Sequence, residues 1–229
     1  MVVSAPLLSA TGIVATRRAD GHDIRVLNGV DIALRAGDIV ELRGPSGAGK
    51  TTLLLALARL LPGAGGILAL EGEPATAIAP EVWRTRVALL PQRTVLSEGA
   101  VAYNLRLPFS LKVREGVAAP EECDLREALD DVGLDDISLR RDARQLSVGQ
   151  VARVALLRVL LARPRVLLLD EPDASLDDAS AAAVAGMTAR FAAEGGAVLR
   201  VSHLRTDAAA TANYRLAAGR LTEVIADAS

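Results

Sequence analysis

Gly44-Pro45-Ser46-Gly47-Ala48-Gly49-Lys50-Thr51 satisfies the pattern G-x-x-x-x-G-K-[ST] at every fixed position, and its flanks decide the fold. Ile39-Val40-Glu41-Leu42 precedes it as a short strand-like run, while Leu53, Leu54, Leu57, Leu60 and Leu61 recur behind it at helical spacing. A strand, a glycine-rich turn and a helix in that order make an anion site. Glycines let successive backbone N–H groups point inward, and the helix adds the positive end of its dipole. Lys50 would reach the outer phosphates of a nucleotide, and the Thr51 hydroxyl would ligate Mg²⁺.

Outward from this loop, apolar runs alternate with helical patterns. Residues 7–16 and 24–34 read as strands joined by a polar turn, with Asn28-Gly29 and Ala36-Gly37-Asp38 as further turn signals. The cluster Pro62-Gly63-Ala64-Gly65-Gly66 ends the first helix, and 67–70 and 87–90 return as strands. From 92 to 161 the chain becomes richer in charge and helix formers, with helices expected over 121–132 and 148–161 and a loop over 108–120. Then follow a continuous apolar strand at 166–169, an alanine-rich helix over 179–193, a buried strand at 197–201 and a strand pair around Ala218-Gly219. Such alternation implies a mainly parallel sheet covered on both faces, with active groups at the strands' carboxyl ends. Gly44, Gln92, Asp170 and His203 each fall just after one of those strands.

Composition bounds the partners. The chain has 229 residues, 51% apolar, enough for a sizeable core, and its net charge of −2 gives no electrostatic reason to expect nucleic acid. Cys123 stands alone and has no internal disulfide partner, which fits a reducing cytoplasm. The apolar start lacks basic residues ahead of it and makes a poor secretion signal; no run of about twenty apolar residues occurs. Attachment to a membrane would fall to another chain.

Asp170 follows four apolar residues, as expected of the carboxylate that holds Mg²⁺ opposite Thr51. Glu171, one position on, can face the terminal phosphate and is the natural general base toward water. Leu146-Ser147-Val148-Gly149-Gln150 opens a helix with a capping serine, a second anion site that can serve the nucleotide of a second copy.

With these stretches in order, the chain closely resembles the ATP-binding subunits of ABC transporters along essentially its whole length. The matching landmarks are the Walker A loop (Gly44 to Thr51, with Thr52 following), the Q-loop glutamine Gln92, the signature Ser147-Val148-Gly149-Gln150, Walker B ending in Asp170-Glu171, the D-loop ending in Asp177, and the switch histidine His203. The resemblance implies an α/β P-loop NTPase of ABC type: a mainly parallel core (1–91 and 162–229) with an N-terminal antiparallel β subdomain, and a helical signature subdomain at 92–161. It implies ATP and Mg²⁺, with Thr51, Gln92 and Asp170 on the metal and Lys50, Glu171 and His203 in catalysis. It also implies a head-to-tail dimer in which Ser147, Val148, Gly149, Gln150 and Asp177 act across to the other subunit. Multispan permease subunits would hold the pair on the cytoplasmic face of the cell membrane, with Gln92 coupling to them.

Within the family, the segment Tyr103-Asn104-Leu105-Arg106-Leu107-Pro108-Phe109 looks most like ATPases of iron or metal-ion exporters, with lipoprotein-releasing ATPases also similar. The alternative from another class is a soluble nucleotide-gated clamp, for example in iron–sulfur cluster assembly. Three departures stand out. Val148 replaces the usual glycine, the D-loop begins Ala174-Ser175 instead of Ser-Ala, and no aromatic residue precedes Trp83 to stack on adenine. His22, Arg17 or Arg18 would have to substitute, although His22 reads more simply as an exposed turn residue. Arg140, Arg141 and Arg144 read as a solvated charged face. Trp83 and Tyr103 read equally as packed aromatics or interface anchors.

Overall fold

The computed structural model describes residues 5–19, 22–202 and 208–224. The elements run β1 (Leu8–Ala19), β2 (His22–Leu34), β3 (Ile39–Arg43), α1 (Lys50–Leu57), β4 (Gly65–Leu70), β5 (Glu73–Pro74), α2 (Pro80–Arg86), β6 (Val87–Leu90), α3 (Val101–Arg106), α4 (Glu122–Asp130), α5 (Val148–Leu161), β7 (Val166–Asp170), α6 (Asp178–Ala193), β8 (Ala197–Val201), β9 (Ala212–Ala217) and β10 (Arg220–Glu223). They build a sheet of order β10-β9-β3-β8-β7-β6, parallel except at β10, and an antiparallel sheet of order β2-β1-β4-β5. The expected α/β architecture, with its antiparallel N-terminal sheet, is what the chain adopts.

Burial explains the pattern. In β7 all five residues are buried, and the run splits by alternation. Val166 and Leu168 join one core with Leu8, Leu27, Leu42, Leu54 and Leu199 between the two sheets. Leu167 and Leu169 join another with Leu105, Leu129, Val154, Leu156 and Met187. A strand that must satisfy two cores has no polar face, so it reads as an unbroken apolar run. Helices α3, α4 and α5 lie between β6 and β7 in the chain, and together with the connection from α4 to α5 (Val132, Leu134, Ile137, Leu139) they supply most of the second core. No helix among the described residues is long and apolar enough to cross a membrane.

Several local expectations differ from what forms. Asn28-Gly29 is not a turn: β2 continues through it as a bulge, with Val30 opposite Ile13, Asn28 opposite Val14, and Gly29 absorbing the extra residue at φ 73°. The first helix stops at Leu57, so Leu60 and Leu61 lie beyond it. The cause is Arg59, which turns left-handed (φ 54°) and donates from Nη1 to the carbonyls of Ala75 and Ile78 at 2.7 and 2.6 Å. Its guanidinium also lies over the Trp83 ring, 5.6 Å from the centroid. Trp83 is fully buried and donates Nε1–H to the Leu57 carbonyl at 2.9 Å, taking up an acceptor freed at the helix end. It is a packed aromatic, while Tyr103 is 53% exposed.

Helix α4 spans Glu122–Asp130, shorter than 121–132: Glu121 is its cap, in a box with Asp124, and the other end closes at Asp131, just ahead of the left-handed Gly133 (φ 67°). The short helices α2 and α3 had no periodic signal, and the loop expected over 108–120 includes single 3-10 turns at Leu107–Ser110 and Lys112–Arg114.

Replacing Trp83 by Phe keeps a ring but strands the Leu57 carbonyl. Stability should fall by about 1–3 kcal/mol. Urea unfolding should show a lower midpoint with an unchanged slope; an unmoved midpoint refutes the capping role.

Candidate functional site

The glycine-rich loop joins β3 to α1 under two close approaches. A Cβ on Gly44 would run into the Leu216 carbonyl of β9, and one on Gly49 (φ 100°) would lie 2.7 Å from Val26 Cγ1 of β2. Both sheets therefore press on the loop. Ala48 N–H donates to the Pro45 carbonyl at 3.2 Å, which closes the curl. Lys50, only 6% exposed, donates its ammonium to the carbonyls of Gly44 and Pro45 at 2.8 and 3.1 Å, so its charge is held at the loop itself.

A cavity of about 630 Å³ opens over this loop. Pro45, Ser46, Gly47, Ala48, Gly49, Lys50, Thr51 and Thr52 form its floor, and Gln92 and Glu171 close one side. Arg17, Ile24, Arg25 and Val26 of the β1–β2 hairpin, with Ala218 and Gly219, form the other. Two cavities elsewhere are larger, about 680 and 880 Å³, but neither includes any residue of the glycine-rich loop. Chemistry, not size, singles out the smaller one.

Residues far apart in sequence meet here. Thr51 Oγ1 donates to Asp170 Oδ2 at 2.7 Å, and Gln92 Nε2 donates to Glu171 Oε2 at 2.8 Å. The Thr51–Asp170 oxygens are the hard donors Mg²⁺ takes beside phosphate oxygens and water. Among the described residues no group of three or more His, Cys, Asp or Glu gathers as a self-sufficient metal site, so a cation here would need the substrate to complete its shell. Gln92, expected on the metal, lines the cavity and donates its amide N–H to Glu171. Glu171 itself is a non-glycine residue at φ 51°, in the left-handed region.

The stretch Ser147 to Gln150 does not line the cavity. Ser147 caps α5 in a reciprocal box: its Oγ accepts from Gln150 N–H at 3.3 Å, and its own N–H donates to Gln150 Oε1 at 3.0 Å. Val148 is 65% exposed at the mouth of that helix. Gly149 has a packing reason the sequence hid: a Cβ there would collide with the Ser180 hydroxyl on α6. Asp177 caps α6, accepting from Ser180 N–H at 2.7 Å. His203 lies outside the described residues.

Of the candidates for the base-binding wall, Arg17 lines the cavity and His22 is exposed and does not; Arg18 does not line it either. Ile24 and Val26 had no signal beyond β-strand character. Arg144 is exposed and pairs with Asp142 at 2.8 Å. That contact holds the Asp142 carboxyl below its ordinary range and raises the Arg144 guanidinium, in keeping with a solvated, locally satisfied run.

A family model described as "ABC transporter" matches residues 27–174, which contain the phosphate loop, Gln92, Ser147 and the Asp170-Glu171 pair. The chain belongs to the ABC transporter family. Within it, this is an ATP-binding, ATP-hydrolysing subunit. It is 35% identical over 182 residues to the probable iron export ATP-binding protein FetA of Escherichia coli, covering 79% of both chains. It is 34% identical over 188 residues to the lipoprotein-releasing system ATP-binding protein LolD 2 of Caulobacter vibrioides, covering 80% of this chain and 81% of that one. The solved ATP-binding subunit of an ABC transporter superposes with a TM-score of 0.82 at 24% identity, over 96% of this chain and 90% of that one.

Gly149→Ala should destabilise the protein by about 1–3 kcal/mol through overpacking of α5 on α6. Pairing it with Ser180→Gly, which vacates the clash, should recover part of that loss in thermal unfolding. A single variant as stable as the parent contradicts the packing account.

Proposed function

We propose that two copies of this chain close head to tail on ATP and drive separate membrane permease subunits, with metal-ion export as the transport task. One observation carries the reading. The cavity holds the phosphate loop and Glu171 together, with Asp170 hydrogen-bonded to Thr51 of the loop, whereas the capped, outward-facing Ser147 lies outside it and has no phosphate to meet within its own subunit. A second subunit, presenting its own Ser147, Val148, Gly149 and Gln150, supplies what the cavity lacks. The probable iron export relative supports the cargo class.

In this reading the loop amides and Lys50 bind the β- and γ-phosphates, exchanging the Gly44 and Pro45 carbonyls for phosphate oxygens. Thr51 and Asp170 would hold Mg²⁺, which neutralises phosphate charge when bound. Glu171 accepts a proton from the water that attacks the γ-phosphorus in line with the leaving oxygen. Gln92 orients that carboxylate. Because Gln92 is also the exposed side chain just beyond β6, a permease segment that moves it changes the aim of Glu171, which couples transport to hydrolysis. On the base side, Arg17 lays its planar guanidinium against adenine, with Ile24 and Val26 as the apolar backing.

Lys50→Ala should weaken MgATP binding by about 100-fold, read by equilibrium titration. Glu171→Gln should retain binding, slow phosphate release by about 10²–10⁴-fold and accumulate an ATP-loaded dimer on gel filtration. A monomer under those conditions removes the paired reading. Arg17→Ala should raise KM for ATP several-fold, by the loss of about 1 kcal/mol of stacking, with kcat unchanged, while His22→Ala leaves both alone. The reverse assignment of the two variants would move the base contact to His22. For cargo, cells lacking this chain should accumulate iron, and normal iron content would exclude metal-ion export.

A further inference from the structure

Four ionisable side chains alternate in sign across the middle of the parallel sheet. Arg43 and Glu41 of β3 pair at 2.6 Å, and Arg200 of β8 pairs with Asp173, beyond the end of β7, at 2.6 Å. Glu41 and Arg200 are register partners on neighbouring strands, whose backbones run about 4.8 Å apart. Glu41 is fully buried, Arg200 is 3% exposed and Asp173 is 7% exposed. Burying a pair of opposite charges gives little net stability over a well-packed apolar pair of similar volume. Their presence in a strand of otherwise apolar buried residues calls for a geometric reason.

Asp173 stands two residues after Glu171 and holds the turn that follows. Its carbonyl accepts from Leu176 N–H at 3.2 Å, and the Glu171 carbonyl accepts from Ala174 N–H at 3.3 Å. This turn connects the left-handed Glu171 to Asp177 at the start of α6. Arg200 thus fixes the turn to β8, which pairs in turn with β3, the strand that runs into the phosphate loop.

We propose that Arg200 is a positioning residue for ATP hydrolysis: through Asp173 it sets the height of Glu171 and of the turn behind it relative to the phosphate loop. The inference rests on Glu171 acting as the base. It predicts that losing the pair lowers turnover without weakening nucleotide binding.

The test uses the full chain with MgATP and three variants. Asp173→Asn should cut kcat by about 10-fold to 100-fold, as expected for a displaced catalytic group, and leave KM within about twofold. The double variant Asp173→Leu with Arg200→Met replaces both charges by apolar side chains, so it should melt at or above the parent temperature yet keep the low kcat. Glu171→Gln is measured beside them. A double variant that turns over at the parent rate, while Glu171→Gln does not, overturns the positioning role and leaves the base assignment standing. Turnover retained by Glu171→Gln removes the base assignment and the inference with it.

Discussion

The hydrogen bond from Thr51 to Asp170 joins residues 119 positions apart, and nothing local brings them together. A single hydrogen bond is worth about 1 kcal/mol net, too little to hold such a closure on its own. What holds it is the ladder β3-β8-β7, in which β8 pairs with both neighbours and the carboxyl ends align. Register there is enforced by burial. A slip by one residue would turn Leu168 and Leu199 from the core between the sheets into the core beneath the helices, and Leu167 the other way. The site is thus a consequence of two apolar cores agreeing on one sheet.

Those cores were legible because their signal is dense. The runs at 87–90, 166–169 and 197–201 contain little but apolar residues, and each is a strand with the expected bounds or within one residue of them. Helix α5 spans the expected 148–161 because its cap and its periodicity coincide at Ser147. What failed was punctuation. Asn28-Gly29 carries the local chemistry of a turn, yet β2 has both Ile13 and Val14 to pair with, and the tertiary ladder converts the turn residue into a bulge. Arg59 carries the chemistry of a helix interior, yet the carbonyls of Ala75 and Ile78 and the face of Trp83 draw it out of the helix. In both places the partners are non-local, so no window of sequence contains them.

The site shows the same division. Its phosphate floor and its acids were readable, since glycine spacing and a strand ending in two carboxylates are local patterns. The hairpin wall of the cavity was only half readable. Arg17 was among the candidates, but Ile24 and Val26 became wall residues only because β2 folds over the phosphate loop closely enough for Val26 to forbid a Cβ at Gly49. Gly149 is the converse case. Its place in a recognisable motif hides a second constraint, the Ser180 hydroxyl pressed against it, which belongs to the packing of α5 on α6 and not to any ligand.

Glu171 draws these strands of reasoning together. It sits at φ 51°, where a side chain other than glycine is disfavoured by about 1–2 kcal/mol, so the surrounding structure has to hold it there. It is held at both ends: its carboxylate by Gln92 beyond β6, and its backbone by a turn anchored through Asp173 to the buried Arg200 of β8. The two attachments differ in kind. Gln92 is an exposed side chain in a loop, whereas the Arg200–Asp173 pair is buried, where the protein is densely packed and yields little. A strained residue with one rigid and one adjustable attachment has a defined direction in which to respond. If Glu171 acts as the proposed base, displacing Gln92 would re-aim its carboxylate without shifting the sheet, so hydrolysis would be gated from the surface while the phosphate loop beneath keeps its shape.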